Sequence, residues 1–381
     1  MPKARSVLSV LFLAVLGGAL VGCDSSGPDT GGELSAEEAR TQVQNTDRDL
    51  SENMSQLNSG AFSTTMRGLF LSNGTTTGSK DAHVPLGYVL LDSLDSVLQT
   101  ADGRLDFEAS TGEYTWEGEQ AGWTQTGSSD SIVLTFPTSR GASNTATFTL
   151  AGYSDTNVVI DGESAYVPEV IAASLTVEGE EIFAVDLTNT EFYDAQLNGT
   201  QVLKTALLRV LTAPQRHTFE WSSPSKQEFE FAFDLVEPAN DNRLVAGLGA
   251  TATLRDDVEN VSGAGDIDEL SGTVRLGPDV TIDYTLQVDE LAALGDDPSA
   301  QAVNDNLAAT MQYRGRTVGD IKVTEEDGPV LVYNDGEEVP LEEAFDDTLS
   351  IFTPSGSGSV IAVMTTAADK VQAAVSTVFR P

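Results

Sequence analysis

Cysteine occurs once in the 381 residues, at Cys23, and histidine only twice, at His83 and His217. A single cysteine excludes an internal disulfide, so any folded part must hold together through its core. Two histidines so far apart, with no cysteine or carboxylate at ligand spacing, exclude the usual zinc motifs. No Gly-x-Ser-x-Gly elbow is present. The alternating context of His217 (His-Thr-Phe-Glu-Trp) makes it a strand residue rather than the base of a Ser-His-Asp triad. Basic residues are also scarce, at 20 Lys and Arg against 59 Asp and Glu, for a formal charge of −39. The basic patch that phosphate contacts require is missing, which excludes nucleic acid as a partner. The chain also lacks the roughly 20 consecutive apolar residues that a membrane-crossing helix needs.

What the first residues do contain is a secretory pattern. Lys3 and Arg5 precede an apolar run over residues 7–16 (VLSVLFLAVL), and small residues follow to Cys23. That order of charge, apolar stretch and small residues is a signal peptide. Its last four residues, Leu20-Val21-Gly22-Cys23, resemble the lipobox of bacterial lipoproteins. The resemblance implies a signal over residues 1–22, cleavage before Cys23 and acylation of the Cys23 thiol, often with the amine as well. Each buried methylene contributes about 0.8 kcal/mol, so two or three chains anchor firmly where one does not. Residues 23–33 then form the acylated cysteine and a Gly/Ser/Pro/Asp tether. Ten such residues span roughly 17 Å as a flexible coil. The expected place is the cell envelope, on the outer membrane or cell surface rather than the inner membrane. Asp24 is read by different sorting rules in different bacteria and leaves the leaflet open.

The acidic excess is the loudest compositional signal, and a signal peptide ending at residue 22 would remove two positive charges and no negative ones. Self-repulsion of this size opposes compaction unless salt screens it, with a Debye length of about 3 Å at 1 M. It reads as the surface of a halophile's protein; the alternative is a merely acidic protein that binds divalent cations loosely.

The remaining chain divides by the period of its hydrophobic residues. Residues 34–104 read as a helical segment. Ser35 is an N-cap with Glu37 and Glu38 in the first turn, and Ala39, Val43, Leu50, Met54 and Leu57 fall on one helical stripe. A second helix is expected over residues 86–98. From residue 105 to 335 the period becomes two. Phe229, Phe231, Phe233 and Leu235 alternate with Glu228, Glu230 and Asp234, and Val280, Ile282, Tyr284, Leu286 and Val288 repeat the pattern. Such alternation, broken by turns such as Asn198-Gly199 and Asn334-Asp335-Gly336, marks antiparallel strands with one wet face. Roughly twelve to sixteen strands fit by this criterion. Residues 336–381 read as a C-terminal helical segment, with Val363, Ala367, Val371, Ala374 and Val378 on a stripe.

Few residues in this frame suggest chemistry. Gly247-Leu248-Gly249-Ala250-Thr251-Ala252 spells a dinucleotide fingerprint, but it lies inside an alternating run with no helix after it. The acidic clusters at Asp256-Asp257, Asp266 to Glu269 and Asp296-Asp297 lack EF-hand spacing and read as solvated loops. No metal and no cofactor is expected. The most suggestive group is Tyr114, Trp116 and Trp123. A hairpin turning over residues 117–122 sets Trp116 opposite Trp123, with Tyr114 on the same face. Exposed, the three form a platform that stacks on sugar rings; buried, they are a cross-strand pair that pins the register.

The stretch from Gly112 through Trp116 and Trp123 to Pro137 (GEYTW, then SDSIVLTFP from Ser129) is similar to envelope lipoproteins of Bacteroidota-type bacteria. That likeness carries no activity. A lipid anchor, an N-terminal helix and a long meander also resemble, in architecture alone, the lipoprotein-carrier half-barrels, whose cavity holds acyl chains. The fold class expected is α+β, mainly β, with a large antiparallel, strongly curved sheet (an open or half-barrel meander) and N- and C-terminal flanking helices. The function expected is a non-enzymatic structural or binding module of the envelope. The alternative is a carrier of a lipid or another hydrophobic ligand. The expected partners are the membrane, through Cys23, and a glycan or hydrophobic ligand.

Overall fold

A computed structural model describes residues 32–70, 85–101, 104–262, 264–294 and 298–346. Cys23, His83 and the stripe expected over residues 363–378 lie outside the described residues.

The N-terminal helix α1 (Ala36–Ser59) begins as the sequence predicts. Ser35 and Glu38 form a reciprocal capping box, with each side chain reaching the other's main-chain N–H. That satisfies two of the N–H groups that a helix start leaves without partners. Gly60 ends the helix, and α2 (Ala61–Phe70) follows at once. The second expected helix is shorter than its pattern. It is α3 (Leu86–Asp92), continued by a 3-10 turn over Leu94–Ser96.

Residues 112–340 form a single sheet of sixteen strands. Short β1 (Thr100–Ala101) and β2 (Arg104–Leu105) form a separate hairpin. The sheet opens with β3 (Gly112–Trp116), β4 (Trp123–Gly127) and β5 (Ile132–Pro137). The long strands follow: β6 (Asn144–Ile160), β7 (Glu163–Val177), β8 (Glu180–Leu197) and β9 (Thr200–Thr212). Next come β10 (Gln215–Ser225), β11 (Glu228–Glu237), β12 (Arg243–Leu254) and β13 (Ile267–Leu276). The meander closes with β14 (Val280–Gln287), β15 (Leu307–Tyr313), β16 (Arg316–Thr324), β17 (Gly328–Tyr333) and β18 (Glu338–Pro340). From β5 to β18 every strand pairs with its sequence neighbour, antiparallel. The exception to an all-antiparallel sheet is β3, which lies between β4 and β5 and runs parallel to β5. The two edges, β4 and β18, do not pair, so the sheet is not closed.

An up-and-down meander puts alternate turns on the same rim. The turns after β7, β9, β11, β13, β15 and β17 share one rim, and the helices run along it on the apolar face. Leu34 donates its main-chain N–H to the Thr317 carbonyl at the start of β16. Val43 joins Met311, Val318 and Leu331 in one buried cluster. Leu50 packs on Leu235 and Val245, and Phe62 stacks on Phe183 at 5.4 Å. Thus α1 crosses from β16 to β10, and α2 continues to β8. A helix of 24 residues is about 36 Å long. The six strand spacings from β16 to β10 amount to about 29 Å. The helix is long enough to bridge this whole stretch, and its buried stripe of Ala39, Val43 and Leu50 is what holds it there.

Beyond the helices, the middle strands are one layer thick. All ten residues of β13 are only partly buried, whichever face they point to.

Candidate functional site

The register sorts the middle of the sheet into two faces. On one, the row Phe219–Phe233–Leu248–Val274–Ile282–Met311 is followed by Trp221–Phe231–Ala250–Gly272–Tyr284–Ala309. This is the apolar face, and α1 and α2 pack at its near end. On the other face, Glu220–Ala232–Gly249–Thr273–Asp283–Thr310 is flanked by Ser222–Glu230–Thr251–Ser271–Thr285–Ala308. Strand periodicity alone separates the two sets.

Two adjoining clefts open on the polar face, of about 490 Å³ and 560 Å³. They share Gly272 and Thr273 and run across β10 to β15. The floor is low because the middle of the row is small. A side chain at Gly249 would have only the Thr273 main-chain nitrogen near it, at 4.0 Å, so its absence leaves open space. Gly272 has a different reason. A Cβ there would run into the Gly249 carbonyl and the Tyr284 hydroxyl, because Tyr284 lies over it on the apolar face. Burial pushes the Tyr284 phenol up to about 12.

The walls are hydrogen-bonding groups held in place by cross-strand partners. Asp283 accepts from Thr273 Oγ1 at 2.7 Å and from Gln312 Nε2 at 3.1 Å. Glu230 accepts from Ser222 Oγ at 2.7 Å. At one end Arg275 donates to Asp234 at 2.9 Å. Half-burial pushes the Asp234 carboxyl up to about 6, against the pull of Arg275 and Arg216. Glu220 and Glu230 are diagonal neighbours across β10 and β11, so their backbones are roughly 7–8 Å apart. Carboxylates at such spacing suit glycoside hydrolysis only if one is shielded as a general acid, and both are exposed here.

The aromatic group singled out in the sequence sits elsewhere. Trp116 does pair with Trp123, edge to face at 5.3 Å. Tyr114 and Trp116 are buried, at 8% and 6% exposure. Trp123 donates through Nε1 to Ser93 Oγ at 3.0 Å and packs edge-on to Phe136. The three are therefore a register pin beneath α3, and they offer no flat face to a sugar ring.

His217 lies on the apolar face beside Phe233, with Nε2 2.9 Å from Thr212 Oγ1. Burial lowers it to about 4. The fingerprint-like glycines are inside β12, as their alternating context predicts. Two of the three acidic clusters are engaged with the protein itself: Asp257 accepts from Gln227, Asp268 from Arg255 and Asp266 from Ser262, while Asp296 and Asp297 lie outside the described residues. No group of three or more potential metal ligands converges among the described residues. None of the described helices is long and apolar enough to cross a membrane.

Sequence periodicity identifies the polar face, but it gives no sign of the clefts. Those depend on which small residues fall side by side across strands, and that is set by register. Comparison with known protein families, curated proteins and solved structures finds no match to this chain.

Proposed function

We propose that this chain is a lipid-anchored protein of the cell envelope, attached through acylated Cys23, that acts as a non-enzymatic binding module. Its contact surface is the polar face of the sheet. The observation that carries the binding role is the pair of adjoining clefts, walled by fixed hydroxyls and carboxylates on the face that the helices leave free. The anchor reading rests on the lipobox-like Leu20-Val21-Gly22-Cys23 at the end of the apolar run. Residue 33 bridges to Thr317 beside the helical rim, so a short tether keeps that rim near the membrane. The acidic surface suits saline surroundings outside the cell.

Metabolic labelling tests the anchor. The full chain expressed in a bacterium with labelled palmitate is expected to carry label and to partition into detergent. Cys23→Ser is expected to lose both. Label that persists in Cys23→Ser contradicts the reading.

A second reading, a carrier of a lipid or another hydrophobic ligand, has one observation in its favour. Phe219, Trp221 and Phe231 are only partly buried on the apolar face beyond α1, as is Phe233, which packs at the edge of the Leu50 cluster. A ligand held there would complete their burial.

A further inference from the structure

We propose that the furrow made by the two clefts binds a neutral polyhydroxylated chain, a glycan, lying across the strands from β10 to β15. This rests on the binding-module reading and names its ligand class.

Shape is the first argument. The clefts are contiguous through Gly272 and Thr273 and open to solvent along their length. Across six strands they extend about 24 Å. That suits an extended polymer of several sugar rings better than a compact ligand, which a pocket would enclose.

Chemistry is the second. The groups facing the furrow are mostly hydroxyls, such as Ser222, Thr251 and Thr273, with carboxylates including Glu230 and Asp283 and one amide, Gln312. Carboxylates only accept, while hydroxyls and the amide both donate and accept. Sugar hydroxyls also do both, so each can complete a lone pair or proton that the cross-strand bonds leave spare. The low floor at Ala232 and Gly249 meets the C–H face of a ring without a polar group beneath it.

Charge decides between classes. An anionic ligand would face Glu220, Glu230 and Asp283 with only Arg275 in its favour, and Arg275 is already paired with Asp234. A polycation would be drawn to the face. However, Asp283 and Glu230 are each tied to neutral cross-strand donors, and no three carboxylates converge as a cation cage among the described residues.

Gly249→Val is the test variant. Its Cβ enters open space above the floor, and a β-branched residue in place of glycine favours a strand. The variant is therefore expected to melt no lower than the parent while filling the furrow. Both proteins, carrying Cys23→Ser to remove the anchor, are run in native gels containing dextran, xylan, mannan, laminarin or hydroxyethyl cellulose. At least one of these is expected to retard the parent, and Gly249→Val is expected to raise the apparent Kd by about tenfold or more. No retardation of the parent by any of the five, or equal retardation of both proteins, overturns the proposal. Calorimetry with spermidine separates the two levels of the argument. If spermidine binds the parent and not Gly249→Val while no glycan binds, the furrow is a binding surface but the glycan assignment is wrong. If neither probe binds, the binding-module reading falls with it.

Discussion

Gln215, at the start of β10, donates through Nε2 to the main-chain carbonyl of Asn53 in α1, 2.7 Å away. Gln215 is fully buried, and Arg243 reaches the Asn53 side chain at 2.6 Å while also pairing with Glu237. A polar knot therefore fixes the C-terminal half of α1 to two turns of the helical rim, where apolar packing alone would let the helix slide. Gln215 Oε1 has no hydrogen-bond partner among the described residues. Gln215→Ala, which removes the bond and leaves a void, is expected to cost about 2–3 kcal/mol. Gln215→Met keeps the volume and is expected to cost less than about 1.5 kcal/mol. Urea midpoints at fixed slope measure both. Equal losses in the two variants would show that the hydrogen bond, not the filling of space, governs the site.

Two titratable groups on opposite faces, one largely buried and one half-buried, give opposite pH slopes. Burial lowers His217 from 6.5 to about 4. Its neutral form is therefore the one the fold accepts, and stability that is complete above pH 6.5 is lost as pH falls toward 4. Half-burial raises Asp234 from 3.8 to about 6. Its charged form is the penalised one, so stability is gained as pH falls from 6 toward 3.8. Relative to the parent, His217→Phe is expected to gain about 3 kcal/mol on going from pH 7 to pH 4. Asp234→Asn is expected to lose about 1–2 kcal/mol over the same range, after allowance for screening of a partly exposed group. Denaturant titrations at several pH values measure these differences. Parallel curves for all three proteins would contradict both assignments.

Salt should stabilise this protein. With 59 acids against 20 bases, the folded state concentrates like charge that the unfolded chain spreads out. Its ion pairs are mostly at the surface, such as Lys204 with Glu191 and Arg314 with Asp279, and contribute little each. Screening of the repulsion therefore outweighs screening of the pairs. The thermal midpoint followed by circular dichroism is expected to rise between about 0.05 M and about 3 M salt, where the Debye length falls from over 10 Å to under 3 Å. An unchanged midpoint would remove the saline-habitat reading.

Much of the architecture was legible because alternation and helical spacing are local. Phe229, Phe231, Phe233 and Leu235 share a face as their spacing requires, and Ala39, Val43 and Leu50 are the buried stripe of α1. The failures lie where the local rule is interrupted. Val245 is an extra residue in β12, so Leu244 pairs with Val236 on the polar-face parity rather than joining Ala246. In β6 the register shifts twice after Leu150, which hides a strand that runs on to Ile160. Asn53 and Asp47 occupy buried positions of α1 that a hydrophobic pattern cannot mark. The parallel pairing of β3 with β5 depends on strand order, which periodicity does not carry. The furrow leaves no mark in the sequence for the same reason. Ala232, Gly249 and Thr273 are unremarkable in their own strands and form a floor only once they are adjacent.

Which face of the sheet meets the ligand is the central claim, and native mass spectrometry of the Cys23→Ser chain, purified in high salt and exchanged gently, tests it most directly. A clean mass with no co-purifying lipid, unchanged after soaking in a lipid extract, is the result expected of a module that binds through its polar face. A released acyl-chain ion would contradict it and assign the protein to carriage of a hydrophobic ligand on the Phe219, Trp221, Phe231 and Phe233 side.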